Sequence, residues 1–365
     1  MAEKKAPALP MSNTKLHTEA IELLKSVIAT PSFSKEEDKT AAIIESFLEN
    51  HGVKVNRHLN NIWAVNQFYD EKKPSILLNS HHDTVKPNKG YTRDPFTPIE
   101  KDGKLYGLGS NDAGGSLVSV ISVFLHYYAQ ENLKYNLILG ISAEEEISGK
   151  NGVEALLNAL PKIDCGIVGE PTLLQMAIAE RGLMVLDCVA HGKAGHAARN
   201  EGENAIYKAV RDIEWLNTNR PEKVSEFLGP VKMTVTSIET ENKAHNVVPS
   251  ECKFLVDVRL NELYTHEELL ELIEKNLEST VHMRSDRLRS SMIPLDHPLV
   301  RAGLELGRPY YGSPTSSDKA LMPFPALKIG PGDSARSHTA DEFIFVEEIK
   351  EGIDLYIKLL EKVLL

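Results

Sequence analysis

Near the start of the chain, apolar positions recur every three or four residues. Leu16, Ala20, Leu23, Leu24 and Ile28 form one set; after Pro31 and Ser32, Ala41, Ile44, Phe47 and Leu48 form another. This spacing predicts helical structure over most of residues 14–51, with Gly52 as a left-handed cap. Further on the apolar runs shorten, and each closes on polar residues. Ile76-Leu77-Leu78 leads into Asn79-Ser80-His81-His82-Asp83, and residues 137–141 into Ser142-Ala143-Glu144-Glu145-Glu146. Ile167-Val168 leads into Gly169-Glu170-Pro171, and residues 326–329 into Gly330-Pro331-Gly332, with His338 beyond. Helical patterns at 114–130 and 152–160 separate these runs. Alternating strands and helices predict an α/β sheet, largely parallel, with helices on both faces.

From about 180 to 286 the texture changes. A strand enters the turn at Gly192, a helix covers 203–218, alternating strands follow at 231–238 and 254–259, and a last helix covers 266–279. That order predicts a small α+β domain with an antiparallel sheet. The α/β pattern resumes near Pro298, so the small domain reads as an insertion. The expected organisation is a catalytic domain of 13–179 and 287–365 and an inserted lid of 180–286. Residues 1–12, with Pro7 and Pro10, read as a loose arm.

A chain of 365 residues accommodates two domains. Its net charge of -11 comes with no concentration of Lys and Arg, which argues against nucleic acid or an anionic membrane as partner. No apolar run is long enough to span a bilayer, and the start lacks the apolar core of a secretory signal. Cys165, Cys188 and Cys252 show no CxxC spacing. They read as buried structural thiols in a reducing cytoplasm.

The chemistry concentrates where the apolar runs end. In an open α/β sheet, ligands bind beyond the carboxyl ends of the strands. His81 with Asp83, Glu145 with Glu146, Glu170, and His338 all sit at such ends. Asp112 sits in the glycine-rich stretch 107–115, just before a helix. Two imidazoles and several carboxylates without thiolates make a donor set for zinc, cobalt or manganese. Five such residues give each of two ions three ligands if one carboxylate is shared. Asp83, two residues after His81, is placed to orient that imidazole. Each residue alone has a plainer reading. Glu144-Glu145-Glu146 can be a solvated acidic face, Asp112 a helix N-cap, Glu170 a turn residue, and His81 or His338 a satisfied histidine.

The ordered motifs Ser80-His81-His82-Asp83-Thr84-Val85, residues 107–112, Ala143-Glu144-Glu145-Glu146, Gly169-Glu170-Pro171-Thr172 and residues 337–342 resemble the M20 family of metallopeptidases and deacylases. That family takes in acetylornithine deacetylase, succinyl-diaminopimelate desuccinylase and aminoacylase. The resemblance implies a zinc-peptidase-like catalytic domain with an inserted α+β lid that also serves dimerisation. It implies that His81 and Glu170 hold one ion, Glu146 and His338 the other, and Asp112 both. Asp83 matches the aspartate behind the first histidine, and Glu145 the general base. Ser80 and Glu144 replace the usual glycine and aspartate.

In the insertion, Gly195-His196-Ala197 resembles the family's oxyanion-holding histidine motif, with a solvent-facing turn as the alternative for His196. Asn246 and Arg259 match lid motifs that can meet a substrate carboxylate, although an ordinary salt bridge accounts for Arg259 equally well. The implied reaction removes an acetyl or succinyl group from an amino acid such as ornithine or citrulline, as in arginine biosynthesis. The implied agents are two divalent ions, zinc first, in a cytoplasmic homodimer. A desuccinylase, a dipeptidase and a non-catalytic binding module on the same fold are the alternatives.

Overall fold

The computed structural model describes residues 12–199 and 201–365. The expected arm lies outside the described residues, Ser12 excepted. The described chain divides into two compact units. One takes the chain up to Ile178 with Ile293–Tyr311 and Met322–Leu365; the other takes Ala179–Met292 with Gly312–Leu321. The short segment Gly312–Leu321, which the sequence reading grouped with the catalytic domain, clusters with the second unit.

In the first unit the three-and-four spacing produces helices Asn13–Ile28 and Asp38–Asn50, which bury Leu16, Ala20, Leu23, Leu24, Ala41, Ile44 and Leu48. Gly52 ends the second helix at φ 75°, and the amide of Val53 reaches back to the carbonyl of Leu48. Helix Gly115–Tyr127 is apolar on nearly every side and correspondingly buried. It packs against helix Asn13–Ile28, the sheet, and the long helix Val346–Leu364. That last helix presents Ile349, Ile353, Tyr356, Leu359 and Leu360 inward, and the Tyr356 hydroxyl donates to the carbonyl of Ile329.

The central sheet of this unit runs, in spatial order, Asn56–His58, Asn61–Val65, Asn136–Ser142, Ser75–His81, Cys165–Val168, Ala326–Lys328 and Met176–Glu180. The middle four strands are parallel and the outer ones antiparallel. Strands Ser75–His81 and Asn136–Ser142 are buried along their whole length, as strands covered on both faces must be. Among the parallel strands, chain order starts at Ser75–His81 and moves first to one neighbour, Asn136–Ser142, and then to the other, Cys165–Val168. The reversal point of the sheet is therefore the strand that ends at His81. A smaller sheet pairs Lys104–Tyr106 with both Ile99–Lys101 and Phe343–Phe345.

The second unit is an antiparallel sheet ordered Lys232–Glu239, Glu251–Leu260, Gly182–His191 and Thr280–Met283, with helices Ala205–Thr218 and His266–Glu274. Burial alternates strictly along Gly182–His191, so Met184, Leu186, Cys188 and Ala190 meet the helices. The sequence reading missed strand Thr280–Met283 and carried the last helix to 279; it ends at Glu274. Among the described residues, no helix is long and apolar enough to cross a membrane.

Candidate metal centre

Parallel strands end on one rim, so the residues following His81, Ser142 and Val168 leave the sheet side by side. Register places His81 opposite Ser142 and Asn79 opposite Val168. His81, the final residue of its strand, is 1% exposed. Asp112 arrives from the glycine-rich turn. Gly109 adopts φ 75°, and a Cβ on it would meet Cγ2 of Thr84 at 2.5 Å, so glycine fits there where an L side chain does not. Helix Gly115–Tyr127 begins beyond this turn with no side-chain cap at its start, so Asp112 is not an N-cap.

The sequence-nominated ligands fall into two groups that share Asp112. His81, Asp112 and Glu170 offer donor atoms within 4.8 Å of one another, and so do Asp112, Glu146 and His338. Oδ1 of Asp112 lies 3.3 Å from Nε2 of His81, and Oδ2 lies 3.7 Å from Nε2 of His338. Glu170 Oε1 stands 3.8 Å from Nε2 of His81, and Glu146 Oε2 stands 2.9 Å from Nε2 of His338. Each group has one imidazole and two carboxylates, a nitrogen and oxygen set suited to zinc, cobalt or manganese. The residues present fit two divalent cations.

Asp83 sits behind this arrangement. Its carboxylate is 3.3 Å from Nδ1 of His81 and accepts the Ser34 hydroxyl at 2.7 Å. It also accepts the amides of Glu145 at 3.0 Å and Glu146 at 3.2 Å. The turn Glu145–Ile147 is flanked by Glu144 at φ 53° and Ser148 at φ 48°, a backbone held by its surroundings. Glu144 is only 5% exposed and bonds Asn151, so residues 144–146 are not a solvated acidic face.

The electrostatics follow from crowded acids. Burial opposes charge on His81, but Asp112, Asp83, Glu145 and Glu170 outweigh it and hold the imidazole well above its usual pKa. Contact with Glu146, against partial burial, lifts His338 to about 9. Burial alone would raise Asp83 and Asp112; His81 beside each keeps both below the usual carboxylate range. Protons and divalent cations compete for the same lone pairs.

In the second unit, His196 and Asn246 come together. Gly195–His196 pairs with Val247–Val248, the Ala197 amide donates to the Asn246 carbonyl, and the Ala198 amide donates to Nδ1 of His196. The fork of Arg259 is engaged by Asp257 at 2.8 and 3.0 Å, the ordinary salt bridge foreseen as its alternative.

Two carboxylates without an expected role also bear on the site. Glu37, fully buried, accepts the amide of Glu144 and the side chain of Asn60. Glu342, 2% exposed, accepts the amides of Gly109, Asn111 and Asp112. Burial pushes Glu342 up to about 7, with the neighbouring Asp112 charge adding to it against the amide bonds. Glu342 closes the motif at 337–342, whereas Glu37, just before helix Asp38–Asn50, carries no signal in the sequence.

Residues 77–362 match the family described as peptidase family M20/M25/M40. The chain belongs to that family. This M20 chain is 29% identical over 379 residues to the acetylornithine deacetylase of Proteus mirabilis, covering 93% of this chain and 96% of the relative. It is 27% identical over 274 residues to the succinyl-diaminopimelate desuccinylase of Rickettsia bellii, covering 69% of each. A dinuclear metal-binding peptidase of the M20 family from Bacillus subtilis has the same fold. It superposes with a TM-score of 0.70 at 14% identity, covering 95% of this chain and 98% of that one. The M20 protein is thus a metallohydrolase of mixed α/β fold whose relatives act on amides.

Proposed function

We propose that this M20 metallohydrolase is a two-metal deacylase that hydrolyses the amide of an N-acetyl or N-succinyl amino acid, with acetylornithine or acetylcitrulline as the first substrates to test. The observation that carries the reading is the shared carboxylate, with Asp112 Oδ1 facing His81 and Oδ2 facing His338. His81 and Glu170 would hold one ion and Glu146 and His338 the other, with Asp112 serving both groups. Zinc is the first candidate for this donor set, cobalt and manganese the next. Ions bound there would supply Lewis acidity toward the amide carbonyl and a lowered pKa for a bound water.

The chain's own residues perform the proton work. Glu145 follows the strand next to His81, and its charge already acts on that imidazole. It takes a proton from the attacking water and returns it to the nitrogen as the C–N bond breaks. A carboxylate and an amine leave. Asp83 keeps His81 aimed and anchors the turn bearing Glu145 and Glu146. His196 is assigned to steadying the oxyanion, Asn246 and Arg259 to a substrate carboxylate, and the lid to homodimer formation, all on motif likeness.

Desuccinylation of a diamino acid is the second reading, supported by the similarity to the Rickettsia bellii desuccinylase. Assays of acetylornithine, acetylcitrulline, succinyl-diaminopimelate and simple dipeptides, with zinc or cobalt added, separate the two from a dipeptidase. Elemental analysis should find about two ions per chain. A chain that takes up no metal would overturn the reading and leave a binding module.

A further inference from the structure

Glu342 is a buried acid spent entirely on one turn. Oε1 accepts the amides of Asn111 at 2.8 Å and Asp112 at 2.9 Å, and Oε2 accepts that of Gly109 at 2.9 Å. The Gly107 amide also donates to the backbone carbonyl of Glu342 at 3.0 Å, one step beyond the pairing of Phe343 with Tyr106. The residue therefore grips both ends of the stretch that delivers Asp112. It also closes the stretch that begins at His338. There Asp341 accepts the amides of Thr92 and Arg93, and Asn88 donates to the His338 carbonyl. Loops bearing members of both donor groups thus meet at a single carboxylate.

We propose that Glu342 is the positioning residue for the shared ligand: by holding the 109–112 turn it aims Asp112 at both ion positions. The inference rests on the two-metal reading above. A carboxylate that must face two ions at once tolerates little rotation, and the atom nearest the pivot, the Asp112 amide nitrogen, is one that Glu342 fixes. Buried N–H groups require an acceptor, so with Glu342 altered the turn relaxes toward another partner and Asp112 turns with it. Groups that orient ligands in this manner are worth roughly 10- to 100-fold in metal affinity.

The test uses the full chain, stripped of metal by chelator and titrated with cobalt, read by calorimetry and by the visible absorption of the bound ions. Glu342→Gln sets a donor against one of the three amides, and Glu342→Asp keeps the charge but withdraws it by one methylene. Far-UV circular dichroism and thermal midpoints are recorded alongside. Weakening of cobalt binding by about 10- to 100-fold in either folded variant, with an altered visible spectrum, is the expected result. Wild-type constants and spectrum with only a lowered midpoint would make Glu342 structural and overturn the assignment. Failure of both variants to fold would overturn it too, by making the residue a determinant of folding. If the wild-type chain itself binds no cobalt, the two-metal reading fails first, and the two failures are distinguishable.

Discussion

The carboxylate of Asp83 lies 3.3 Å from Nδ1 of His81, on the opposite side of the ring from Nε2, which faces Asp112. The Asp83 carbonyl is also 3.1 Å from Nδ1. With two acceptors on that side, Nδ1 keeps its proton when a cation displaces the one on Nε2, so Nε2 is the nitrogen left for the candidate centre. Asp83→Asn keeps the shape but loses charge and turns a donor toward one of its partners, which include the amides of Glu145 and Glu146. Zinc affinity is expected to fall by about 10- to 100-fold, measured by competition with a chromophoric chelator. Unchanged affinity would mean that Asp83 does not orient a ligand.

Asp112 has more to lose, because one residue serves both groups. Asp112→Asn removes the negative charge facing His81 and His338 together. Its effect on metal retention should exceed the ~10- to 100-fold typical of an orienting partner. Elemental analysis after gel filtration should find fewer ions than the wild-type chain carries, with a matching loss of turnover. A variant that still holds a full complement would remove Asp112 from the shared position.

Much of this was readable because strand ends leave a strong mark. The apolar run Ile76-Leu77-Leu78 marks a buried strand, and the polar residues that close it carry the chain to the rim at His81. The same holds for residues 143–146 after Asn136–Ser142 and for Glu170 after Cys165–Val168. Glu342 and Glu37 were not readable in that way. Glu342 reaches Asp112 across 230 positions and Glu37 reaches Glu144 across 107, and no local period encodes such pairings. The strands Ile99–Lys101, Lys104–Tyr106 and Phe343–Phe345 are too short for alternation to declare itself. The overlong helix after His266 has a similar cause. Asp212, far away in sequence, takes the amides of Glu278 and Ser279 and draws that segment out of the helical path.

The three cysteines give an independent check on the cores. Cys165, Cys188 and Cys252 are free and buried, and burial pushes the first two up to about 12 and raises the third. At pH 8 a thiol with a pKa near 12 is thiolate in only roughly one molecule in 10⁴, and the thiolate is the reactive form. A disulfide reagent should therefore label the native protein slowly and label three thiols per chain at once in guanidinium. Rapid labelling of a native thiol would show that one of these cores opens readily.

Glu145 separates binding from chemistry. Its neighbour Glu146 faces His338, whereas Glu145 belongs to neither donor group. Its amide is held by Asp83, which anchors the turn through the backbone. Glu145→Gln should leave metal content and thermal midpoint near wild type while kcat falls by about 10² to 10⁴, the usual worth of a positioned acid–base group. KM should move little, because the substitution removes proton transfer and leaves the ligands in place. Should kcat survive, or should the metal leave together with the activity, the proton-transfer role would pass to another group. The experiment therefore needs metal content and kinetics from the same preparation.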